Sequence, residues 1–201
     1  VTSHDATIAS YAEQSGRSVI IVMNKWDLAL KAAQEKAAKE KRAGGKGGGG
    51  NPSKLLADYE PMVRGKLKFL AYAPLVFVSA LTGERVDKLY TLIDHVVEAR
   101  NRRISTGELN RWLSSVDLDR GTSPASRHVK IYYITQATAA PPTFVLFTNQ
   151  TKPLHFSFQR FLENRLRSAF DFTGTPIRFM QRLKKRDGRG TEKRRTERER
   201  R

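Results

Sequence analysis

Ser18-Val19-Ile20-Ile21-Val22-Met23-Asn24-Lys25-Trp26-Asp27 decides how the chain is read. A run of β-branched residues has the composition of a buried strand, and it stops at three polar side chains. Guanine presents two N–H donors side by side, on ring N1 and on its exocyclic amine. A carboxylate accepts both at once as a charge-assisted bidentate pair, and Asp27 is placed to do so. Adenine offers an acceptor where guanine has N1–H, and that mismatch gives selectivity. In this reading Asn24 ties neighbouring loops or reaches the base, and Lys25 lays its aliphatic stem along the purine face. In open α/β sheets ligands bind at the carboxyl ends of strands, where these residues fall.

Asn-Lys-x-Asp after a strand can also be an ordinary turn, so a second stretch matters. Pro74-Leu75-Val76-Phe77-Val78 is another apolar strand, and it runs into Ser79-Ala80-Leu81-Thr82-Gly83. A tight turn there aims the Ala80 backbone N–H at the guanine O6 acceptor. Each strand ends in half of one base site. The guanine-binding set is therefore Asn24, Lys25, Asp27, Ser79, Ala80 and Leu81, and GTP or GDP is the expected ligand.

These two motifs, together with Pro141-Pro142-Thr143-Phe144-Val145-Leu146-Phe147 and Leu162-Glu163-Asn164-Arg165-Leu166-Arg167, resemble the carboxy-terminal portion of the bacterial GTPase family Der, also called EngA. The resemblance covers most of residues 1–182. It implies an α/β fold: the carboxy-terminal portion of a P-loop-type G domain at 1–103, then an α+β KH-like domain at 104–183. It further implies a role in assembly of the large ribosomal subunit, with ribosomal RNA as partner.

Composition agrees with a polyanionic partner. The 201 residues carry 37 Lys and Arg against 20 Asp and Glu, a formal charge of +17. There is no cysteine, which excludes disulfides, thiolate metal sites and cysteine nucleophiles. No apolar run approaches the roughly 20 residues of a membrane span, and Val1 onward is no signal peptide, so a cytoplasmic protein is expected. His4, His95, His128 and His155 lack ligand spacing, and no metal site is expected. Thr2, Ser3 and Asp5 read as a helix cap, and Asp117 with Asp119 as a solvated turn.

In chain order, the pattern predicts a helix over 5–15 with Ile8, Tyr11 and Ala12 on one face, a strand at 19–23, and a helix over 28–42. An insertion at 30–52 ends in Gly44-Gly45-Lys46-Gly47-Gly48-Gly49-Gly50-Asn51-Pro52. No Gly-Lys-Ser/Thr occurs in it and no strand feeds it, so it reads as a flexible linker and not a phosphate loop. A helix over 53–69, a strand at 75–78 and a helix over 86–103 follow, the last packing Val86, Leu89, Leu92, Ile93, Val96 and Val97 on the sheet. Ser105-Thr106-Gly107-Glu108 matches a capping box opening a helix that buries Leu109, Trp112 and Leu113. Residues 115–128 read as a loop. Strands at 129–136 and 143–148, a helix with Phe158, Phe161, Leu162, Leu166 and Phe170 on one face, and a strand at 177–181 complete an α+β sandwich with helices on one sheet face. Residues 184–201 lack apolar anchors and are expected to be a disordered basic tail. After Gln181 there are eleven basic residues against four acidic.

Missing motifs are informative as well. Phosphoryl transfer by a G domain needs a P-loop, a threonine switch for Mg2+ and an Asp-x-x-Gly. No Gly-x-x-x-x-Gly-Lys-Ser/Thr occurs, and Asp-x-x-Gly appears only at Asp171–Gly174 and Asp187–Gly190, outside any G-domain context. Two strands are marginal as a sheet, and the Val19–Met23 strand lacks its expected neighbour. The expectation is a fragment, inactive alone, whose partners include the amino-terminal G-domain portion and which needs Mg2+ only in the complete protein. The different-class alternative is a non-catalytic RNA-binding or ribosome-docking module keeping the guanine-recognition remnant. For RNA the candidates are Arg160, Arg165, Arg167, Arg178 and Arg182, although residues 105–183 contain no Gly-x-x-Gly, the loop by which KH domains clamp the backbone.

Overall fold

A computed structural model describes residues 1–44, 51–118 and 129–184. Among these residues six α-helices and five strands alternate in a mixed α/β arrangement with two small sheets. The centre of the 30–52 insertion, most of the 115–128 loop with Asp119 and His128, and nearly all of the basic tail lie outside the described residues. None of the described helices is long and apolar enough to cross a membrane.

Helix α1 (Ser3–Gln14) starts on a full capping box, in which Thr2 Oγ1 accepts from the Asp5 N–H and the Asp5 carboxylate accepts from the Thr2 N–H. Its expected apolar face is not buried. Ile8 and Tyr11 are 58% and 68% exposed, and Ala6 and Ala9 pack instead against the cluster of Val63, Leu67, Leu70 and Ala73. Small residues permit the closer approach, which turns the larger ones outward.

Strand β1 (Ile21–Met23) pairs parallel with β2 (Leu75–Phe77), Ile21 opposite Leu75 and Met23 opposite Phe77. The ladder begins two residues later than the apolar run because the Val19 N–H donates to Gly174 O, at 2.7 Å. Between the strands lie α2 (Trp26–Arg42), α3 (Pro52–Lys66) and a 3-10 turn at Lys68–Leu70. Asn51 caps α3 and Pro52 occupies its first position, where a missing N–H costs nothing. Helix α4 (Val86–Asn101) buries Val96 and Ala99, but Ile93 and Val97 remain 41% and 51% exposed.

Helix α5 (Thr106–Ser115) is capped by Ser105 Oγ, which accepts from the Glu108 N–H at 3.3 Å. The return bond of a capping box is not made. Strands β3 (Ile131–Thr138), β4 (Thr143–Thr148) and β5 (Arg178–Leu183) form the second sheet in that order. A four-residue connection makes β3 and β4 a hairpin. Helix α6 (Phe156–Ala169) links β4 to β5 as a crossover. The Arg178 N–H donates to Pro142 O and the Lys184 N–H to Thr148 O, so β4 and β5 run parallel. On β4, Phe144, Leu146 and Thr148 are buried. Phe158 and Leu162 of α6 and Leu109 and Leu113 of α5 are buried as well, each set at its helical spacing.

Two compact units interleave along the sequence. The first gathers Val1–Arg103, Thr138–Thr143 and Leu166–Arg178, and the second takes the rest. Within the first unit the 170–176 segment is held on several sides. Its Gly174 N–H donates to Tyr72 O, Thr175 Oγ1 lies 2.9 Å from Ser18 Oγ, and His95 Nε2 is 3.0 Å from the Asp171 carboxylate. Partial burial works against the Asp171 charge. The Thr173 N–H and hydroxyl, His95 and Arg102 outweigh it and hold the carboxyl below the ordinary value. Arg167 donates to Phe172 O and Thr175 O and lies over the Tyr72 ring at 4.4 Å.

Gly174 is needed here for two reasons. Its φ is +69°, and a Cβ would come within 2.6 Å of Val96 and 3.2 Å of the Val19 carbonyl oxygen. Gly83, at φ +74°, has nothing within 4 Å of such a Cβ. Gly174→Ala should therefore cost about 2–4 kcal/mol of unfolding free energy, from left-handed strain plus overlap, against about 1 kcal/mol for Gly83→Ala. Urea unfolding of the two variants checks this, and equal losses would show that the clash is relieved.

Candidate functional site

Parallel pairing of β1 and β2 brings their carboxyl ends together. Beyond β1, Lys25 adopts φ 64°, ψ 35°, a left-handed conformation that costs a lysine roughly 1 kcal/mol. That turn starts α2 immediately, two residues earlier than helix propensity predicts. It also sends Trp26 inward, where the indole is 3% exposed and packs on Phe77 at 4.7 Å and edge-on to Tyr59 at 5.7 Å. The Trp26 N–H donates to Val78 O, so the start of α2 is fixed to the end of β2. Sequence reasoning passed over Trp26 as the variable position of the motif; its signal was a large aromatic flanked by polar residues.

Asp27 is 9% exposed and Ser79 fully buried, and Ser79 Oγ donates to Asp27 Oδ1 at 2.7 Å. Ser79 Oγ in turn accepts from the Thr82 N–H at 3.3 Å, and the Ser79 N–H donates to Glu84 O. Asp27 Oδ2 carries no hydrogen bond among the described residues, and it is not sealed off from solvent. Oδ2 is open and Oδ1 keeps a second lone pair beside the Ser79 bond, so the carboxylate can still accept at both oxygens.

Asn24 joins the two loops. Its Oδ1 accepts from the Ala80 N–H at 3.0 Å and from the Lys25 N–H at 2.7 Å. The Ala80 N–H, expected to face O6, is held by the Asn24 amide oxygen in the chain without a ligand. Lys25 is exposed, and Leu81 is 88% exposed at the loop tip. Five of the six sequence-chosen residues lie on these two adjoining loops, and Asp27 sits in the first turn of α2. Among the described residues no group of three or more His, Asp or Glu is arranged to hold a metal ion.

The five arginines chosen for RNA separate into two kinds. Arg167 is engaged with backbone carbonyls as above, and Arg178 donates to Gln14 O at 2.7 Å. Arg160 and Arg165 are exposed on α6, where they lie over Phe156 and Phe161, and Arg182 is exposed on β5. Arg100, which was not singled out, donates to Gly16 O and Ser18 Oγ and holds the entry to β1.

Comparison with known proteins adds the family. Residues 103–182 match the family described as KH-domain-like of EngA bacterial GTPase enzymes, C-terminal. The protein named GTPase Der from Moorella thermoacetica is 45% identical over 181 residues, which is 90% of this chain and 37% of that protein. The GTPase Der of Acetivibrio thermocellus is 43% identical over 188 residues, 93% of this chain and 38% of the relative. The chain matches the carboxy-terminal part of the GTPase Der family. It spans less than two fifths of the length of these Der proteins. The similarity takes in both loops of the site as well as the KH-like region.

Ser79→Ala leaves the largely buried Asp27 carboxylate without its donor and should destabilise the chain by about 1–3 kcal/mol. In a double-mutant cycle with Asp27→Ala the losses should fall short of additive, since one interaction is removed twice. Strict additivity in chemical denaturation would mean that the 2.7 Å contact carries no coupling.

Proposed function

We propose that residues 1–103 are the carboxy-terminal part of a GTP-binding G domain and residues 104–183 a KH-like domain, in a Der-like GTPase that acts in assembly of the large ribosomal subunit. One observation carries the nucleotide reading: the Asp27 carboxylate, buried, fixed by Ser79 from the second strand and open at Oδ2. In this reading Asp27 accepts guanine N1–H and the exocyclic amine, and the exposed Lys25 stem lies along one face of the purine. Asn24 holds the two loops in register and yields the Ala80 N–H to O6 when the base enters. The chain has no Gly-x-x-x-x-Gly-Lys-Ser/Thr, so its share of the activity is base recognition, and phosphate and Mg2+ chemistry belongs to the complete protein.

Base choice in the complete protein tests this. Asp27→Asn should weaken GTP and favour xanthosine triphosphate, because xanthine keeps N1–H and replaces the amine with a carbonyl. An asparagine amide accepts from the first and donates to the second. With about 1.5–3 kcal/mol for a charge-assisted bond, relative affinity should move at least tenfold. A folded variant that keeps its original preference in competition binding would remove Asp27 as the base reader.

The KH-like region and the charge of +17 support contact with ribosomal RNA. The three exposed arginines, Arg160, Arg165 and Arg182, are the residues assigned to it. Each phosphate contact releases counterions, so on a single strand Arg160→Ala with Arg165→Ala should lower the slope of log K against log salt by about 1.4. The probe is a single-stranded RNA oligomer titrated at four salt concentrations. An unchanged slope would take α6 out of the RNA surface.

A further inference from the structure

The outer edge of β2 is a second feature of the first unit, separate from the base site. In the parallel ladder the Ile21 N–H donates to Pro74 O and the Val78 N–H to Met23 O. Alternation then turns the main-chain groups of Val76 toward β1 and those of Leu75 and Phe77 away from it. Among the described residues no strand pairs with that outer side. It opens into a groove of about 450 Å³ whose walls include Leu56 and Glu60 of α3 and Arg85, Lys88 and Leu92 by α4. Apolar side chains thus flank a row of main-chain donors and acceptors, which is what an added strand needs.

Charge selects the occupant. Glu60 is paired with Arg64 at 3.7 Å, whereas Arg85 and Lys88 make no ion pair among the described residues. Arg85 is held at φ 61° as the residue before α4, so its direction is set by the backbone. A second copy of the chain would bring another charge of +17 and another pair of these cations to the same edge. An acidic partner gains where a second copy loses.

We propose that the outer edge of β2 is a strand-addition site for an extended segment of a partner protein, apolar along its length and carrying carboxylates that meet Arg85 and Lys88. Added residues hydrogen-bond to Leu75 and Phe77, and their side chains fill the space beside Leu56 and Leu92.

The test uses the full 201-residue chain, isotope-labelled for amide NMR, and a capped eight-residue peptide of alternating valine and threonine between paired glutamates. Binding should shift and protect the Leu75 and Phe77 amides, with Val76 and Val78 protected already in the free chain. Of two peptides N-methylated at alternate positions, one should bind roughly tenfold or more weakly and the other nearly normally, because only one set faces β2. The paired variant Arg85→Glu with Lys88→Glu, checked for an unchanged spectrum elsewhere, should prefer the same peptide with lysine ends. Three outcomes would overturn the proposal: no response of these amides at millimolar peptide, equal binding of both methylated peptides, or protection of the same amides by self-association without peptide.

Discussion

A three-rung parallel ladder carries this molecule. Ile21–Met23 against Leu75–Phe77 is short for a sheet, and a two-stranded sheet alone is marginal. Its stability comes from what grips its ends. At the carboxyl end Trp26 bonds to Val78 and packs on Phe77, while Ser79 bonds to Asp27. At the amino end Val19 bonds to Gly174 and Arg100 holds Gly16 and Ser18. Slipping the register by one residue would separate Ser79 from Asp27 and bury the wrong faces.

Past the Trp26–Val78 backbone bond the two loops are joined by side chains. Asn24 reaches Ala80, and Ser79 reaches Asp27, so the loops move as one body. A site built this way holds its carboxylate in place before any ligand arrives, and less ordering is left to binding. The left-handed Lys25 is part of the same design, since a relaxed residue there would delay α2 and leave Asp27 on the wrong turn.

Much of this was legible in the chain. The strand-then-polar pattern placed both loops, and alternation with helical spacing placed most elements within a few residues. Tertiary competition decided what was missed. Val19 reads as strand but spends its N–H on Gly174, and Tyr11 reads as core but faces solvent because Ala6 and Ala9 pack more closely. Arg167 and Arg178 were indistinguishable in sequence from Arg160 and Arg165, since a charge carries no sign of which carbonyl it will meet. The Ala80 N–H was read toward a ligand, and only coordinates reveal that Asn24 takes it.

In the second unit a single side chain replaces a turn. Gln181 Nε2 donates to Thr148 Oγ1, Gln150 O and Lys152 O, and its Oε1 accepts from the Leu154 N–H. Residues 148–154 contain no glycine, and beside local bonds such as Thr148 Oγ1 to Gln150 O they are held by a side chain 27 to 33 positions further along. Part of their order is thus non-local and depends on the docking of β5. Whatever lifts β5 away therefore unties the 148–154 loop too, although no residue of that loop has changed.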